Sequence, residues 1–558
     1  MNSLPSTGVI LGTAFAVGLL ILLALRVLRA IWTTIQLRRT RGERRRVPAE
    51  NMRDVAAFHD AIVNESPTDV VDARTWSDLN LADVFTTLDH TESEPGRQYL
   101  YHLLRTPQSQ KESLAQMERG TQAFSADESL GEEVRTALRL LSDPRAARIV
   151  HLIFGAIPPR PRLWWAIPCL SAAAMVCIGL SAIWPIAAFV LLGVCVINIG
   201  VIVWLKPRIR AVAPALHQLP MMLKVAKTIG RLELNAFAHE RECLRRGANS
   251  LQQLEFAARW LMLEDGQASD VATLFSELLN LLFLFDVMAF MRAATVIPRC
   301  REQLRAMFAS IGRLDAAQSI AEWRATLVTW AVPEFSEAVK SLSVEDLQHP
   351  LLSAPVANSL SIANTGVLIT GSNMSGKTTF VRAIGVNAVL AQTLHTVCAR
   401  AWRAPMMRVS TSIGQSDNIL QGKSYYMAEV ETALGMVRSK ETGKQHLFLL
   451  DELFRGTNTT ERVAAAYALL SYLNRGNDLV GVATHDIELL GLLGGSFEPY
   501  HFRETIADGA LTFDFRIRAG PSSTRNAIAL LEVMQFPKEL VSDALSMTDW
   551  PSRKPDRE

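Results

Sequence analysis

Cysteine is scarce in this chain: its 558 residues include six, and no two of them form a C-x-x-C pair. The sequence therefore suggests neither a disulfide framework nor a zinc site. Acidic and basic residues almost balance, giving a formal net charge of +2, so no global attraction to nucleic acid is expected. Internal repeats and long low-complexity segments are also absent. The length suggests about three or four domains.

Charge is missing from the stretch 4–25, which is long enough to cross a bilayer, since a spanning helix takes about 20 residues. A cleaved signal peptide is the alternative interpretation. It is disfavoured because no basic residue precedes the apolar run and because the run is longer than a typical signal core. We therefore predict a retained transmembrane anchor within a first region, 1–46, that includes its basic flank.

The stretch 163–205 is also uncharged, and it is about twice as long as a spanning helix needs to be. Trp184-Pro185 interrupts it near the middle, where a turn is tolerated. We predict a transmembrane hairpin formed by 163–183 and 185–205. A buried helix pair in a soluble domain is the alternative, although so long an uncharged stretch is unusual there.

Basic residues flank the uncharged stretches. By the positive-inside rule these flanks are cytoplasmic and the N-terminus lies outside, which predicts a multi-pass protein of the cell membrane with its other domains in the cytoplasm. The arginines between Arg38 and Arg46 could also form a DNA-binding arm, but their position beside a span favours contact with anionic lipid headgroups. The flanking residues are Arg26, Arg29, Arg38, Arg39, Arg41, Arg44, Arg45, Arg46, Arg160, Arg162, Lys206, Arg208 and Arg210.

One motif fits G-x-x-x-x-G-K-[ST], the pattern of a phosphate-binding P-loop. An apolar β-type run at 366–370 precedes it and a helix-like segment from Phe380 follows it, which is the context that a P-loop requires. Backbone N–H groups of such a loop and the helix N-terminus bind polyphosphate. We expect Lys377 to reach the β- and γ-phosphates of ATP and Thr378 to bind Mg²⁺. The predicted nucleotide-binding residues are Gly371, Ser372, Asn373, Met374, Ser375, Gly376, Lys377, Thr378 and Thr379.

Two further apolar runs end in residues suited to ATP hydrolysis. The run 446–450 is followed by Asp451 and Glu452. We predict that Asp451 joins the P-loop threonine at Mg²⁺ and that Glu452 is the general base for the attacking water. The run 479–483 leads to His485, and ligands of open α/β sheets bind at the carboxyl ends of strands. His485 is therefore predicted to bind the γ-phosphate; an ordinary exposed histidine is the alternative.

Together these motifs resemble the ATPase domain of the MutS family of DNA mismatch-repair proteins, which are relatives of ABC ATPases. The Asn373-Met374 pair inside the P-loop is typical of the family. So are the segment 422–429 between the nucleotide motifs, Arg455-Gly456-Thr457 after the carboxylates, and the closing segment 536–544. A fainter similarity at 88–97 looks like the start of the family's helical core and lever domain.

The resemblance implies an α/β P-loop NTPase domain of the ABC/MutS type at 345–558, ending in a helical dimerisation segment. It also implies an α-helical core and lever domain, which the hairpin at 163–205 divides into 47–162 and 206–344. About three transmembrane helices complete the predicted architecture. The apolar run 278–285 could be a fourth span, but a buried core helix is predicted, because Glu277 and Asp286 confine the run to well under the spanning length of about 20 residues.

The family pattern implies an active homodimer in which Ser424 acts on the nucleotide of the partner subunit, and in which Asn373 supports the phosphate cradle. ATP and Mg²⁺ are the implied ligands. Three positions depart from the pattern: Pro355 stands where an aromatic residue that stacks on adenine is expected, Phe454 replaces a glycine and Asn458 replaces a serine. The region before residue 72 is also too small to hold the family's mismatch-reading and connector domains.

Three functions are compatible with this sequence. The first is a membrane-anchored MutS-like ATPase in which ATP binding closes a dimer and hydrolysis opens it; by resemblance, its role would be DNA mismatch repair with binding of mismatched DNA. The second is an ATP-driven protein that binds DNA non-specifically at the membrane. The third is an ABC-like ATPase for transport or membrane remodelling, which is disfavoured because no charged residue within the predicted spans marks a substrate path.

Overall fold

A computed structural model of the chain describes residues 52–66, 69–181, 183–250, 278–372, 374–414, 425–507, 510–521 and 536–546. The predicted span at 4–25 and the predicted site residues Asn373 and Ser424 lie outside the described residues. The helices are α1 (Met52–Glu65), α2 (Ala73–Asp78), α3 (Leu81–Leu88), α4 (Glu94–Arg105), α5 (Lys111–Ala126), α6 (Glu128–Leu138), α7 (Ile149–Ile153), α8 (Ala166–Ser181), α9 (Ile186–Ile229), α10 (Ala238–Ser250), α11 (Phe285–Arg299), α12 (Arg301–Thr326), α13 (Lys377–Leu394), α14 (Tyr425–Lys440), α15 (Thr459–Leu473), α16 (Glu488–Leu493) and α17 (Lys538–Ser546). The strands are β1 (Glu334–Phe335), β2 (Ser341–Leu347), β3 (Asn358–Ala363), β4 (Gly366–Thr370), β5 (Ala401–Ala404), β6 (Arg408–Ser412), β7 (His446–Asp451), β8 (Leu479–Ala483), β9 (Phe497–Ala507) and β10 (Ala510–Ala519).

Helices from before and after the apolar hairpin pack together, with α12 in contact with α4, α5 and α10. Asp315 of α12 is buried and accepts hydrogen bonds from the backbone N–H of Ser93 at 2.8 Å and from its hydroxyl at 2.5 Å. The same hydroxyl accepts the Gly96 N–H at the start of α4, so it caps that helix. A Cβ at Gly96 would lie 2.0 Å from the Asp315 carboxylate. The absence of a side chain there allows segments 222 residues apart to pack closely.

The uncharged stretch forms two helices, α8 and α9, that pack against each other. Within the described residues, one helical segment is long and apolar enough to cross a membrane: Ile186–Arg210 in α9, with 25 residues and a mean hydropathy of 2.8. α8 has only 16 residues, fewer than the roughly 20 that a span requires. The prediction of about three transmembrane helices is therefore not met by the described residues: α8 is shorter at both ends than the predicted helix 163–183, and the predicted span at 4–25 lies outside them.

α9 does not end where the apolar sequence ends. The prediction placed the end of the second hairpin helix at residue 205, whereas α9 continues to Ile229 and contains Pro207, Pro214 and Pro220. Hydropathy falls at Lys206 because charged residues begin there, but the backbone hydrogen bonds that define the helix do not depend on hydropathy. A single helix of 44 residues therefore joins the apolar hairpin to the helices that pack around α12, which are called the helical body.

The C-terminal part contains a six-stranded sheet with the order β10-β9-β4-β8-β7-β6. Its pairs are parallel except for the antiparallel pair of β9 and β10. The three strands predicted from sequence are present as β4, β7 and β8. Their side chains are almost entirely buried because helices cover this sheet, and Phe448, Leu450, Leu470 and Val482 form part of its core. Each such side chain contributes about 1.5–3 kcal/mol on burial.

The second sheet has four strands in the order β1-β5-β2-β3. Helix α2 attaches the helical body to the end of β6 in the larger sheet. The Asp78 carboxylate at the end of α2 accepts hydrogen bonds from the Thr411 hydroxyl at 2.8 Å and from the Ile413 N–H at 2.9 Å. These hydrogen bonds fix the helical body at the edge of the larger sheet where the loops with the predicted site residues begin.

Candidate nucleotide-binding site

The carboxyl ends of β4, β7 and β8 meet at one edge of the larger sheet. Asp451, the last residue of β7, is in register with Ala483, the last residue of β8, and Ile369 of β4 is in register with the same alanine. The loops that follow these strands carry the P-loop, the Asp451-Glu452 pair and His485. Parallel pairing thus brings together three segments that the sequence separates.

Two glycines allow the P-loop its conformation. Gly371 has φ +141° and Gly376 has φ +105°, which are values that residues with a Cβ rarely adopt. A Cβ at Gly371 would lie 2.8 Å from the carbonyl oxygen of Phe502. The Ser375 hydroxyl donates to the Ser372 carbonyl at 2.8 Å and closes the loop. Because α13 begins at Lys377, its unpaired N–H groups lie beside this loop and provide partial positive charge for an anion.

Lys377 folds back over the loop that it follows. Its side chain is 4% exposed, and Nζ donates to the carbonyl oxygens of Gly371 and Ser372, each at 2.7 Å. Burial lowers the pKa of Lys377, and the negative charges of Glu452 and Asp451 oppose that effect. The ammonium group is therefore held at the mouth of the phosphate cradle by carbonyl groups that a phosphate could replace.

Thr378 and Asp451 form a pair suited to a divalent cation. The Thr378 hydroxyl donates to Asp451 Oδ2 at 2.7 Å. The other carboxylate oxygen, Oδ1, is buried and has no hydrogen-bond partner among the described residues, and burial raises the pKa of Asp451. Mg²⁺ prefers one or two protein oxygen ligands and completes its shell with phosphates and water. The unpartnered oxygen and the adjacent hydroxyl fit that requirement.

Glu452 lies beside Thr378 and Asp451, and each of its two carboxylate oxygens has a partner. Its Oε1 is 3.4 Å from His485 Nδ1, and its other carboxylate oxygen forms an ion pair with Arg455. The hydrogen bond from His485 and the charge of Arg455 lower the pKa of Glu452 despite its burial. The same hydrogen bond raises the pKa of His485. Glu452 is therefore ionised at neutral pH, as a proton acceptor must be.

A cavity of about 400 Å³ extends from the P-loop toward β3 and β10. Phe515 lines it and lies 3.3 Å from the position of a Cβ on Gly376. Asn358 fixes this part of β10, because its side chain donates to the Phe515 carbonyl at 3.0 Å and accepts the Ile517 N–H at 2.8 Å. Pro355 and His349 line the same end of the cavity. Burial and the charge of Arg382 lower the pKa of His349 to about 4, so this histidine is neutral.

Residues 367–549 match the family model described as MutS domain V. The chain is 33% identical to the DNA mismatch repair protein MutS of Thermus thermophilus over 250 residues, which cover 44% of this chain and 30% of that protein. It is 28% identical to the MutS protein of Staphylococcus haemolyticus over 273 residues, covering 47% of this chain and 30% of that protein. The C-terminal part of this chain is MutS-like. The chain spans about 30% of the length of these curated relatives.

In the MutS-like part, the loop after Glu452 departs from the family pattern at Phe454, and the backbone conformation of this residue is unusual. Phe454 has φ +57°, a conformation that favours the glycine expected from the family. Its ring lies 6.3 Å from that of Tyr426 in α14. The Glu429 carboxylate accepts backbone N–H groups of residues 454–456, so α14 holds this loop. Asn458 caps α15 by accepting the Glu461 N–H at 3.0 Å, a task that asparagine and serine perform equally well.

The structure places most of the predicted site residues of the MutS-like part around one cavity. Lys377, Thr378, Asp451 and Glu452 lie together, and His485 contacts Glu452. Ser372, Met374, Gly376 and Thr379 also line the cavity. Sequence reasoning missed Phe515, which lies far from every motif in the chain. The two hydrogen bonds of the Asn358 side chain are the structural link to Phe515.

Proposed function

We propose that this chain is a membrane-anchored MutS-like ATPase. The observation that carries the proposal is the Thr378–Asp451 pair, with its unpartnered carboxylate oxygen, beside an ionised Glu452 and a buried Lys377. These groups supply the parts that phosphoryl transfer needs: a phosphate cradle, a cation site, a positive charge and a proton acceptor. The match to MutS domain V supports the MutS-like ATPase part of this proposal.

Each side chain has a distinct task in this mechanism. The P-loop N–H groups and α13 bind the phosphates, and the Lys377 ammonium exchanges its two carbonyl partners for phosphate oxygens. Thr378 and Asp451 would hold Mg²⁺, which when bound neutralises charge that develops on the phosphates. Glu452 accepts the proton of the attacking water. His485 keeps Glu452 ionised and oriented, and Arg455 must leave the carboxylate for a water molecule to reach it.

The adenine base would occupy the other end of the cavity, against Phe515. An aromatic ring provides a flat apolar surface on which a base stacks. Phe515 would then supply the contact that Pro355 cannot make. The Asn358 side chain positions the ring indirectly, through its hydrogen bonds to the backbone of β10.

The active form would be a homodimer with composite sites, in which Ser424 reaches the nucleotide of the partner subunit. This part of the proposal is supported by the similarity to MutS proteins and by the position of Ser424 just before α14 in sequence. ATP binding would close the dimer and hydrolysis would open it.

The hairpin of α8 and α9 would anchor the protein in the cell membrane. Large apolar side chains on both helices are exposed, among them Met175, Phe189 and Val196 at 62%, 76% and 63%. Such a surface is costly in water and is expected in lipid. At the end of the hairpin away from its turn, Arg160 lies over the ring of Trp164 and Arg208 over that of Trp204. Basic and aromatic residues of this kind favour the cytoplasmic interface, which supports the proposal of an ATPase domain in the cytoplasm.

ATP hydrolysis by the full chain in lipid nanodiscs tests the proposal. The parent protein should hydrolyse ATP in the presence of Mg²⁺, and Lys377→Ala should reduce the rate by about 10²- to 10³-fold, because it removes a charge that stabilises the transition state. Lys444→Ala, which removes a half-exposed lysine between α14 and β7 in the same domain, is the control and should hydrolyse at the parent rate. Equal rates for the parent and Lys377→Ala would refute the P-loop assignment.

DNA is the partner that the names of the relatives suggest, since both are DNA mismatch repair proteins. The same assay should therefore be run with matched duplex, mismatched duplex and vesicles of anionic lipid. Stronger stimulation by the mismatched duplex would support a role in mismatch repair. Equal stimulation by both duplexes, lost at high salt, would support non-specific DNA binding. No response to either duplex would remove DNA from the proposed function.

A further inference from the structure

A broken helix packs beside the apolar hairpin. Residues 278–283 are helical, Leu284 has φ +52°, and α11 begins at Phe285. The sequence predicted a buried core helix at 278–285, but residues 278–283 are only partly buried, and Leu278 is 51% exposed. The apolar side chains on this segment therefore face outward as well as inward, unlike those of a core helix.

Side chains of the hairpin bind the end of this helix. The Asn198 side-chain amide donates to the carbonyl oxygens of Leu281 and Leu282 at 2.8 and 3.2 Å. The Ser171 hydroxyl donates to the Phe283 carbonyl at 2.7 Å. The last carbonyl groups of a helix have no partner within the helix, so Asn198 and Ser171 satisfy groups that the break leaves open.

Both donors are polar residues in a hairpin that is mostly apolar, and both are buried, unlike Ser181. Asn198 is fully buried and Ser171 is 8% exposed, whereas the neighbouring Ile197 and Ile199 are 53% and 49% exposed. The polar face of the hairpin is thus turned toward the broken helix and the apolar face is turned outward. This arrangement is what a membrane requires, because a backbone carbonyl in hydrocarbon is tolerated only when protein satisfies it.

The contact lies at the middle of the candidate span. Asn198 is the central residue of the segment Ile186–Arg210, and a helix rises 1.5 Å per residue. The contact is therefore about 18 Å from either end of the segment. If the segment spans the bilayer, the end of the broken helix lies near the bilayer midplane.

We propose that residues 278–284 form a third intramembrane element, which ends at the bilayer midplane beside the hairpin and exposes its outer face to lipid acyl chains. The inference rests on the membrane location proposed above for the hairpin. It adds a surface of Leu278, Leu279, Leu281 and Leu282 to the lipid-facing surface of α8 and α9. Asn198 and Ser171 hold the element in place, since without them its terminal carbonyls would face hydrocarbon.

Depth measurements on single cysteines test this inference. The six native cysteines are replaced by alanine, and Leu278→Cys, Ile197→Cys or Val328→Cys is introduced into the full chain in vesicles. Ile197 marks the centre of the hairpin, and Val328, which is 90% exposed in a loop after α12, marks the aqueous phase. A fluorescent label at position 278 should be quenched by lipids with a quencher in the acyl chain, as at 197. Before labelling, Leu278→Cys should react with a membrane-impermeant maleimide at least about tenfold more slowly than Val328→Cys.

The outcomes separate this inference from the membrane location itself. If position 197 is quenched by lipid while position 278 reacts as fast as 328, the third element is refuted and the membrane hairpin stands. If positions 197 and 278 both react as fast as 328, the membrane location fails and the inference fails with it. Shielding of position 278 from both the maleimide and the lipid quencher would mean that protein covers it, which also refutes the inference.

Asn198→Leu tests the role assigned to the asparagine. The variant leaves two carbonyl groups without a donor, so hydrogen exchange of residues 278–284 in nanodiscs should become about tenfold faster. Ile199→Leu, a change on the outward face of the same helix, is the matched control and should exchange at the parent rate. Retained ATP hydrolysis would show that the variant is folded. Unchanged exchange in folded Asn198→Leu would overturn the proposed role of Asn198.

Discussion

The two ends of the cavity, which the proposed function assigns to the phosphates and to the base of ATP and which are called the phosphate end and the base end, use different interactions. At the phosphate end, a glycine-dependent loop, a helix N-terminus and the charged groups Lys377, Asp451 and Glu452 lie within one network of hydrogen bonds and charge contacts. At the base end, the main feature is the ring of Phe515, with Pro355 and a neutral His349 nearby.

From this difference we expect the two ends to tolerate change to different degrees. A phosphate cradle needs unusual backbone conformations and fixed charges, so it requires particular residues at particular spacings. A base needs only a flat apolar surface, which any nearby strand can provide. The aromatic residue expected at Pro355 can therefore be absent while Phe515 of β10 presents a ring to the same cavity.

Glu452→Gln should give the largest effect and is confined to the phosphate end. The amide keeps the shape of the side chain but cannot accept a proton, so ATP hydrolysis should fall by about 10²- to 10⁴-fold while ATP binding is retained. Single-turnover hydrolysis and equilibrium binding measure the two effects separately. Glu488→Gln, which changes an exposed carboxylate at the start of α16, should behave as the parent. Hydrolysis by Glu452→Gln at the parent rate would exclude Glu452 as the base.

Phe515→Ala should give a smaller effect and tests the base end alone. Base stacking on an aromatic ring is worth about 1–3 kcal/mol, so the Kd for ATP should rise about tenfold. Inorganic tripolyphosphate has no base, and its affinity should not change. Lys377→Ala should instead weaken both ligands. Tyr467→Ala, which removes an exposed ring from α15, is the control for Phe515→Ala.

A parallel loss of tripolyphosphate binding in Phe515→Ala would contradict the separation of the two ends. The substitution would then act through the P-loop, to which the ring is adjacent at Gly376. Unchanged binding of ATP would mean that the base lies elsewhere in the cavity.

The sequence was sufficient to predict the strands and loops of the phosphate end, because their chemistry is encoded in short contiguous motifs. It could not reveal Phe515, because the ring reaches the cavity only through a register shift between Phe513 and Ile517 in β10 and through Asn358 in another strand. These contacts join residues about 160 positions apart. No local periodicity records such a contact.

The helical regions show the same limit. The uncharged stretch at 163–205 predicted the hairpin, but not the continuation of α9 to Ile229. The apolar run at 278–285 predicted a helix, but not its interruption at Leu284, because the partners of the open carbonyls are Ser171 and Asn198 in the hairpin. Hydropathy thus identifies apolar segments, whereas their ends depend on tertiary hydrogen bonds.

The smallest predicted effect concerns pH and the base end. His349 has a pKa lowered to about 4, mainly by burial, against about 6.5 for an unfolded chain. Between these values the unfolded state binds more protons, so stability should be complete above about pH 6.5 and should fall as the pH falls toward 4. His349→Asn removes the titrating group but keeps an acceptor for the Leu351 N–H, which His349 Nδ1 accepts at 3.3 Å.

The midpoint of thermal unfolding of the full chain in nanodiscs, measured from pH 7.5 to 4.5, should therefore fall less steeply for His349→Asn than for the parent. The control is His151→Asn, which changes an exposed imidazole and should leave the slope unchanged. Parallel curves for the parent and His349→Asn would show that His349 is not held neutral.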